Sequence, residues 1–120
     1  MSLTTFIKKA INQDNRNQFE PYSGNLDIVP DGLKKFYREY NPIDVEVISD
    51  YNPIHFYSVQ ELSSLQQEYS FIKDGFVFAT CNGDPIFVND SGVYTCAHGI
   101  RVPTKEKLAN NVDDYLDSLI

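Results

Sequence analysis

The sequence predicts an α+β fold, a mainly antiparallel sheet flanked by helices. Three observations carry that prediction. In Phe76–Gly99, apolar runs at 76–80, 86–88 and 93–97 are separated by Asn82-Gly83 and Asn89-Asp90-Ser91-Gly92. Asn-Gly and Asp-x-Gly supply the positive φ values that tight hairpins need, and the runs are rich in β-branched and aromatic residues. The stretch therefore reads as a three-stranded meander, and strands joined by turns this short cannot be parallel. The second observation is apolar residues at helical spacing near both ends of the chain. The third is size: 120 residues, 42% of them apolar, with eight Phe and eight Tyr, suit one ordered domain spanning 1–120. Such a chain can bury a core without disulfides or a structural metal.

The elements follow in order. Leu3, Phe6, Ile7, Ala10 and Ile11 line one stripe of a helix over 3–12. Gln13 to Asn25 is polar and carries Pro21 and Gly24, so a loop is expected. Pro30-Asp31 opens a second helix: proline lacks the N–H that the first turn leaves unused, and Asp31 meets the positive end of the dipole. Leu33, Phe36, Tyr37 and Tyr40 form its apolar face, and Asn41-Pro42 ends it. Residues 43–48, IDVEVI, alternate apolar and acidic and predict a strand with Asp44 and Glu46 on one wet face. Residues 54–57 predict a second strand. Ser58–Glu61 is a capping box that starts a helix lined by Leu62, Leu65 and Tyr69. After the meander, Val112, Tyr115, Leu116 and Leu119 mark a terminal helix.

Charge narrows the function classes. Ten basic and seventeen acidic side chains give a net charge of −7. That balance argues against nucleic-acid binding, which needs a basic footprint. No apolar run approaches the ~20 residues that span a bilayer. The N-terminus has no apolar stretch after a basic start, so no secretory leader is expected and the cytoplasm is the expected compartment. In a reducing compartment Cys81 and Cys96 are expected as free thiols.

Between Glu39 and Ile72 there is no Lys or Arg, whereas Glu39, Asp44, Glu46, Asp50, Glu61 and Glu68 are acidic. One reading is a solvated face that maintains solubility. The other is a surface that steers a basic partner. Asp44, Glu46 and Asp50 with the neighbouring Tyr51 are the candidate partner-binding residues, since tyrosine and charge are what interface centres and rims use. Asp84 and Asp90, near the hairpin tips, are the next candidates.

Enzymatic chemistry has a weaker basis. Cys96 and His98 are two apart, so a strand would place them on one face as a thiol–imidazole pair. No glycine-rich nucleophile turn surrounds Cys96 and no third group is identified, so no catalytic residue is assigned. Cys81, Cys96, His55 and His98 lack ligand-pair spacing, and the Asp84 and Asp90 turns lack the calcium-loop pattern. No metal or cofactor is expected.

The layout resembles the SUKH superfamily of Smi/Knr-like proteins over roughly Val29 to Leu119. Val29-Pro30-Asp31-Gly32-Leu33 with Phe36-Tyr37 resembles its opening helix. Residues 54–58, IHFYS, with Glu61-Leu62 resemble its strand-to-helix passage. Residues 76–79 through 82–88 resemble its glycine-punctuated hairpin, and residues 112–116, VDDYL, its closing helix. The resemblance implies a SUKH-like domain that is a non-enzymatic binding protein. Bacterial members are mostly regarded as immunity proteins that occupy toxin domains, often nucleases or deaminases, in the cytoplasm. The implied partner is a basic toxin domain; the alternative is a regulatory or scaffold role in cell-wall control. No catalytic residue comes with the family.

Overall fold

The computed structural model describes residues 3–97 and 104–120. The chain runs α1 (Leu3–Gln13), β1 (Gln18–Glu20), α2 (Asp31–Tyr40), β2 (Asn41–Ile43), β3 (Val45–Ser49) and β4 (Asn52–Phe56). A 3-10 turn (Val59–Glu61) then leads into α3 (Leu62–Glu68), β5 (Phe76–Cys81), β6 (Asp84–Asn89), β7 (Gly92–Thr95), β8 (Glu106–Ala109) and α4 (Val112–Leu119). Strands β3 to β8 form one antiparallel sheet in sequence order, and β1 and β2 form a separate antiparallel pair. This is an α+β fold, as the sequence predicts. Among the described residues no helix is long and apolar enough to cross a membrane.

The central strands are buried on both faces, and the edge strand on one. Residues 85–88 of β6 are all buried, whereas β3 buries Val45 and Val47 and exposes Glu46 and Ile48. One face meets α1, α2 and α4. Phe56 on β4 is the hub there, with ring centroids 5.5 Å from Phe6, 6.3 Å from Phe36 and 6.4 Å from Phe78. Phe78 in turn meets Tyr115 of α4 edge-on at 6.0 Å. These offset and edge-to-face arrangements are the ones ring quadrupoles favour. On the other face α3 packs against β5: the Gln66 amide donates to the Val77 carbonyl at 2.7 Å and accepts from its N–H at 2.8 Å. Tyr69 donates to the Gly83 carbonyl at 2.7 Å. The Ser58–Glu61 box forms as predicted, the Glu61 carboxylate accepting from the Ser58 N–H at 3.1 Å, but it opens a 3-10 turn before α3 begins.

Three expectations change. The predicted loop over 13–25 contains β1, held by pairing with β2 and by Phe19 packing on the core. β8 is a strand that alternation does not reveal; its charged Glu106 and Lys107 suit an edge, where they discourage further pairing. The strand expected over 43–48 is broken at Asp44, whose φ of 55° lies in the left-handed region that Asp tolerates better than most residues. Asp44 and Glu46 therefore do not share one strand face: Asp44 is the hinge between β2 and β3, and Glu46 lies within β3.

The opposite edge of the sheet, β3, is sealed by side chains. The Asn17 amide donates to the Glu46 carbonyl at 2.9 Å and accepts from the Glu46 N–H at 3.0 Å. Gln13 repeats the pattern on Ile48, donating to its carbonyl at 2.8 Å and accepting from its N–H at 2.5 Å. A carboxamide presents an N–H and a carbonyl oxygen side by side, as a strand's backbone does, so these two residues stand in for a seventh strand.

Candidate functional site

The β3–β4 and β5–β6 hairpins turn at the same end of the sheet. At β5–β6 the turn is Asn82-Gly83, with φ of 52° and 87°, the conformation for which Asn-Gly is preferred. The β3–β4 turn uses the same left-handed pair with far less suitable residues, Asp50 at 49° and Tyr51 at 68°. A bulky side chain at such a φ is a genuine outlier. Tyr51 is also 97% exposed, the extreme among the large hydrophobic side chains outside the core. Ile48, one strand position before Ser49, adds a second exposed apolar group at 44%. The two tips are tied together, the Asn82 amide donating to the Asn52 side-chain oxygen at 3.1 Å.

Beneath these tips lies a cleft of about 500 Å³, between the hairpin end of the sheet and α4. Asp50 and Asp84 line its mouth, and Ile54, Ile86, Leu119 and Tyr115 its interior. No Lys or Arg lines it among the described residues.

Of the six predicted partner-binding residues, three meet here: Asp50, Tyr51 and Asp84. The other three lie elsewhere. Glu46 points from the outer face of β3, opposite His55 on β4, and the His55 ring meets Tyr57 edge-on at 4.6 Å. Asp44 lies at the far end of β3. Asp90 occupies the β6–β7 turn, also at the far end, and lines a different depression with Asp27 and Asp31. Its neighbour Asn89 caps that turn, accepting from the N–H groups of Ser91 at 2.8 Å and Gly92 at 3.2 Å. This is Asx turn chemistry.

The acidic segment is not free of positive charge in space. Arg16 holds Asp14 through N–H donors at 3.1 and 2.8 Å, which brings the Asp14 carboxyl down to about 2. Asp14 raises the Arg16 guanidinium most, and Asp44 and Glu46 add to that rise, so Arg16 lies near the Asp44–Glu46 end. Asp50 and Asp84 lie at the opposite end of the sheet, on the lining of the cleft.

The thiols are free, Cys96 buried and Cys81 half-buried. Burial, then Asp84 and Asp74, push the Cys96 thiol up, away from the depressed values that make a thiolate nucleophile. His98 lies outside the described residues. Among the described residues no three His, Cys, Asp or Glu side chains gather as a metal site.

No protein-family profile, curated protein or solved structure matches this chain.

Proposed function

We propose that this chain is a protein-binding module that engages a basic protein partner through the hairpin end of its sheet, acting as an immunity protein that occupies and neutralises a bacterial toxin domain of the nuclease or deaminase type. The observation that supports a binding role is Tyr51. A tyrosine held at positive φ and exposed to 97% does nothing for the fold that glycine would not do better. Its value lies outside the molecule, where tyrosine is among the residues that carry binding energy. Asp50 beside it and Asp84 nearby set the sign of the partner, and a negative site speeds encounter with a positive one. The toxin part of the reading draws on the SUKH-like order of motifs in the sequence.

The test is growth rescue. A toxin domain encoded beside this chain is co-expressed with the wild-type protein, with Tyr51→Ala and with Asp50→Lys. Wild type restores growth, and both variants bind the toxin at least about tenfold more weakly, the loss expected of an interface hot spot. Soluble wild-type protein that neither binds nor neutralises the toxin overturns the proposal. Rescue by Tyr51→Ala equal to wild type moves the interface away from the hairpin end.

A further inference from the structure

The cleft between the hairpin end and α4 presents one particular hydrogen-bonding pattern. Tyr115 is 3% exposed, lines the cleft, and its hydroxyl has no hydrogen-bond partner among the described residues. A buried polar group left unpaired is uncommon in a folded protein and calls for an explanation. Burial pushes the pKa of this phenol up, and the Cys81 thiol, itself on the lining, adds to the rise. The hydroxyl therefore lies near Cys81, on the cleft side of the ring, and stays protonated as a donor without an acceptor. Two other hydroxyls on the lining have the opposite need. Thr95 donates to the Pro85 carbonyl at 2.8 Å, and Ser118 to the Tyr115 carbonyl at 2.7 Å. A hydroxyl has a single proton to give, so both offer a visitor lone pairs alone. The cleft thus sets a spare donor beside two acceptors, with Ile54, Ile86 and Leu119 as its aliphatic wall.

We propose that this cleft receives a glutamine side chain of the protein partner, its carboxamide oxygen accepting from Tyr115, its amide N–H groups donating to the Thr95 and Ser118 oxygens, and its methylenes against Ile54, Ile86 and Leu119. The inference rests on the partner-binding reading and assigns that partner's anchor. Hydrogen-bond complementarity selects the group. An ammonium or guanidinium has donors only and would leave the Tyr115 O–H unpaired. A carboxylate has acceptors only and gives nothing to Thr95 and Ser118. A carboxamide carries an oxygen acceptor and two N–H donors on one planar group, so it meets both needs at once. The stem of glutamine is longer than that of asparagine, which takes the carboxamide deeper and buries more apolar area against the aliphatic wall. Charge at the mouth then governs encounter with the partner, and the carboxamide governs fit once the partner is seated. Tyr51 adjoins Asp50 at that mouth, where the backbone carrying the glutamine would pass.

The experiment is an NMR titration of the ¹⁵N-labelled whole chain with Nα-acetyl-L-glutamine methylamide. The glutamate counterpart, with acceptors only, and the lysine counterpart, with donors only, are run beside it. Amide shifts from the glutamine probe are expected to cluster on Ile86, Thr95, Ser118 and Leu119, and neither counterpart moves them as far at equal concentration. Tyr115→Phe, which keeps the ring against Phe78, weakens the glutamine probe by about fivefold, as expected for the loss of one neutral hydrogen bond. Urea unfolding of the free chain separates this role from a structural one. The same variant has the wild-type midpoint or a higher one, because the hydroxyl it loses has no partner among the described residues. A lower midpoint overturns the proposal, and so does a probe affinity that Tyr115→Phe leaves unchanged. A glutamine probe that leaves the cleft silent, or shifts it no more than the glutamate or lysine probe does, also overturns it. The probe needs no partner. A silent cleft alongside Tyr51-dependent rescue therefore overturns this inference alone, whereas a responsive cleft without rescue overturns the toxin reading.

Discussion

At the scale of single residues, Tyr51 and Asn82-Gly83 are a controlled comparison within one molecule. Both turns need two left-handed residues. Asn-Gly meets that need with little strain, and its signal was legible in the sequence for that reason. Asp50-Tyr51 meets it against preference, so no turn signal marks the position, and only the acidic and aromatic context drew attention to it. A non-glycine residue in this region costs roughly 1–2 kcal/mol. Tyr51→Gly is therefore expected to raise unfolding free energy by about 1 kcal/mol in urea titration, after allowing for the extra freedom glycine has in the unfolded chain. The same variant should lose partner affinity. A variant that is less stable than wild type would show that the Tyr51 ring supports the hairpin.

Among elements, β3 decides how the sheet ends. Its position was visible from alternation, since Val45 and Val47 point inward between Glu46 and Ile48. Its start was not, because Asp44 is polar in either a strand or a hinge and only φ distinguishes the two. The seal on its outer edge was also invisible: Asn17 and Gln13 act over 29 and 35 residues of sequence, and an amide in a polar loop carries no mark of its target. Asn17 is buried and also donates to the Ala10 carbonyl at 2.9 Å. Asn17→Ala leaves the part-buried N–H and carbonyl of Glu46 without their side-chain partners, while the Ala10 carbonyl keeps the Asp14 N–H, and is expected to cost about 2 kcal/mol. The Glu46 amide should then exchange with solvent faster in hydrogen-exchange NMR, while Val47, bonded across to β4, changes less. Equal acceleration of both would mean that the whole hairpin opens.

Across the whole molecule, one aromatic cluster joins three helices to the sheet. Phe56 meets rings from α1, α2 and β5, so Phe56→Ala is expected to cost about 3–5 kcal/mol. A domain of this size has roughly 5–15 kcal/mol in total, so the midpoint of thermal unfolding should fall sharply. The core residues were legible because apolar periodicity reports burial directly. The cleft was not, because Asp50, Asp84 and Tyr115 come from a hairpin tip, a strand start and a terminal helix. Charge counted along the chain likewise missed Arg16, which folding carries to the Asp44–Glu46 end, where Asp14 holds it. The seal on β3 has a consequence over time. Gln13 ends α1, and Asn17 lies four residues beyond it, so the strand edge is closed only while the N-terminal helix stays docked. Excursions in which α1 lifts away would turn a finished sheet into a growing template, able to recruit a second chain strand to strand. The shelf life of concentrated protein should therefore follow the opening rate of α1 rather than the stability of the sheet itself.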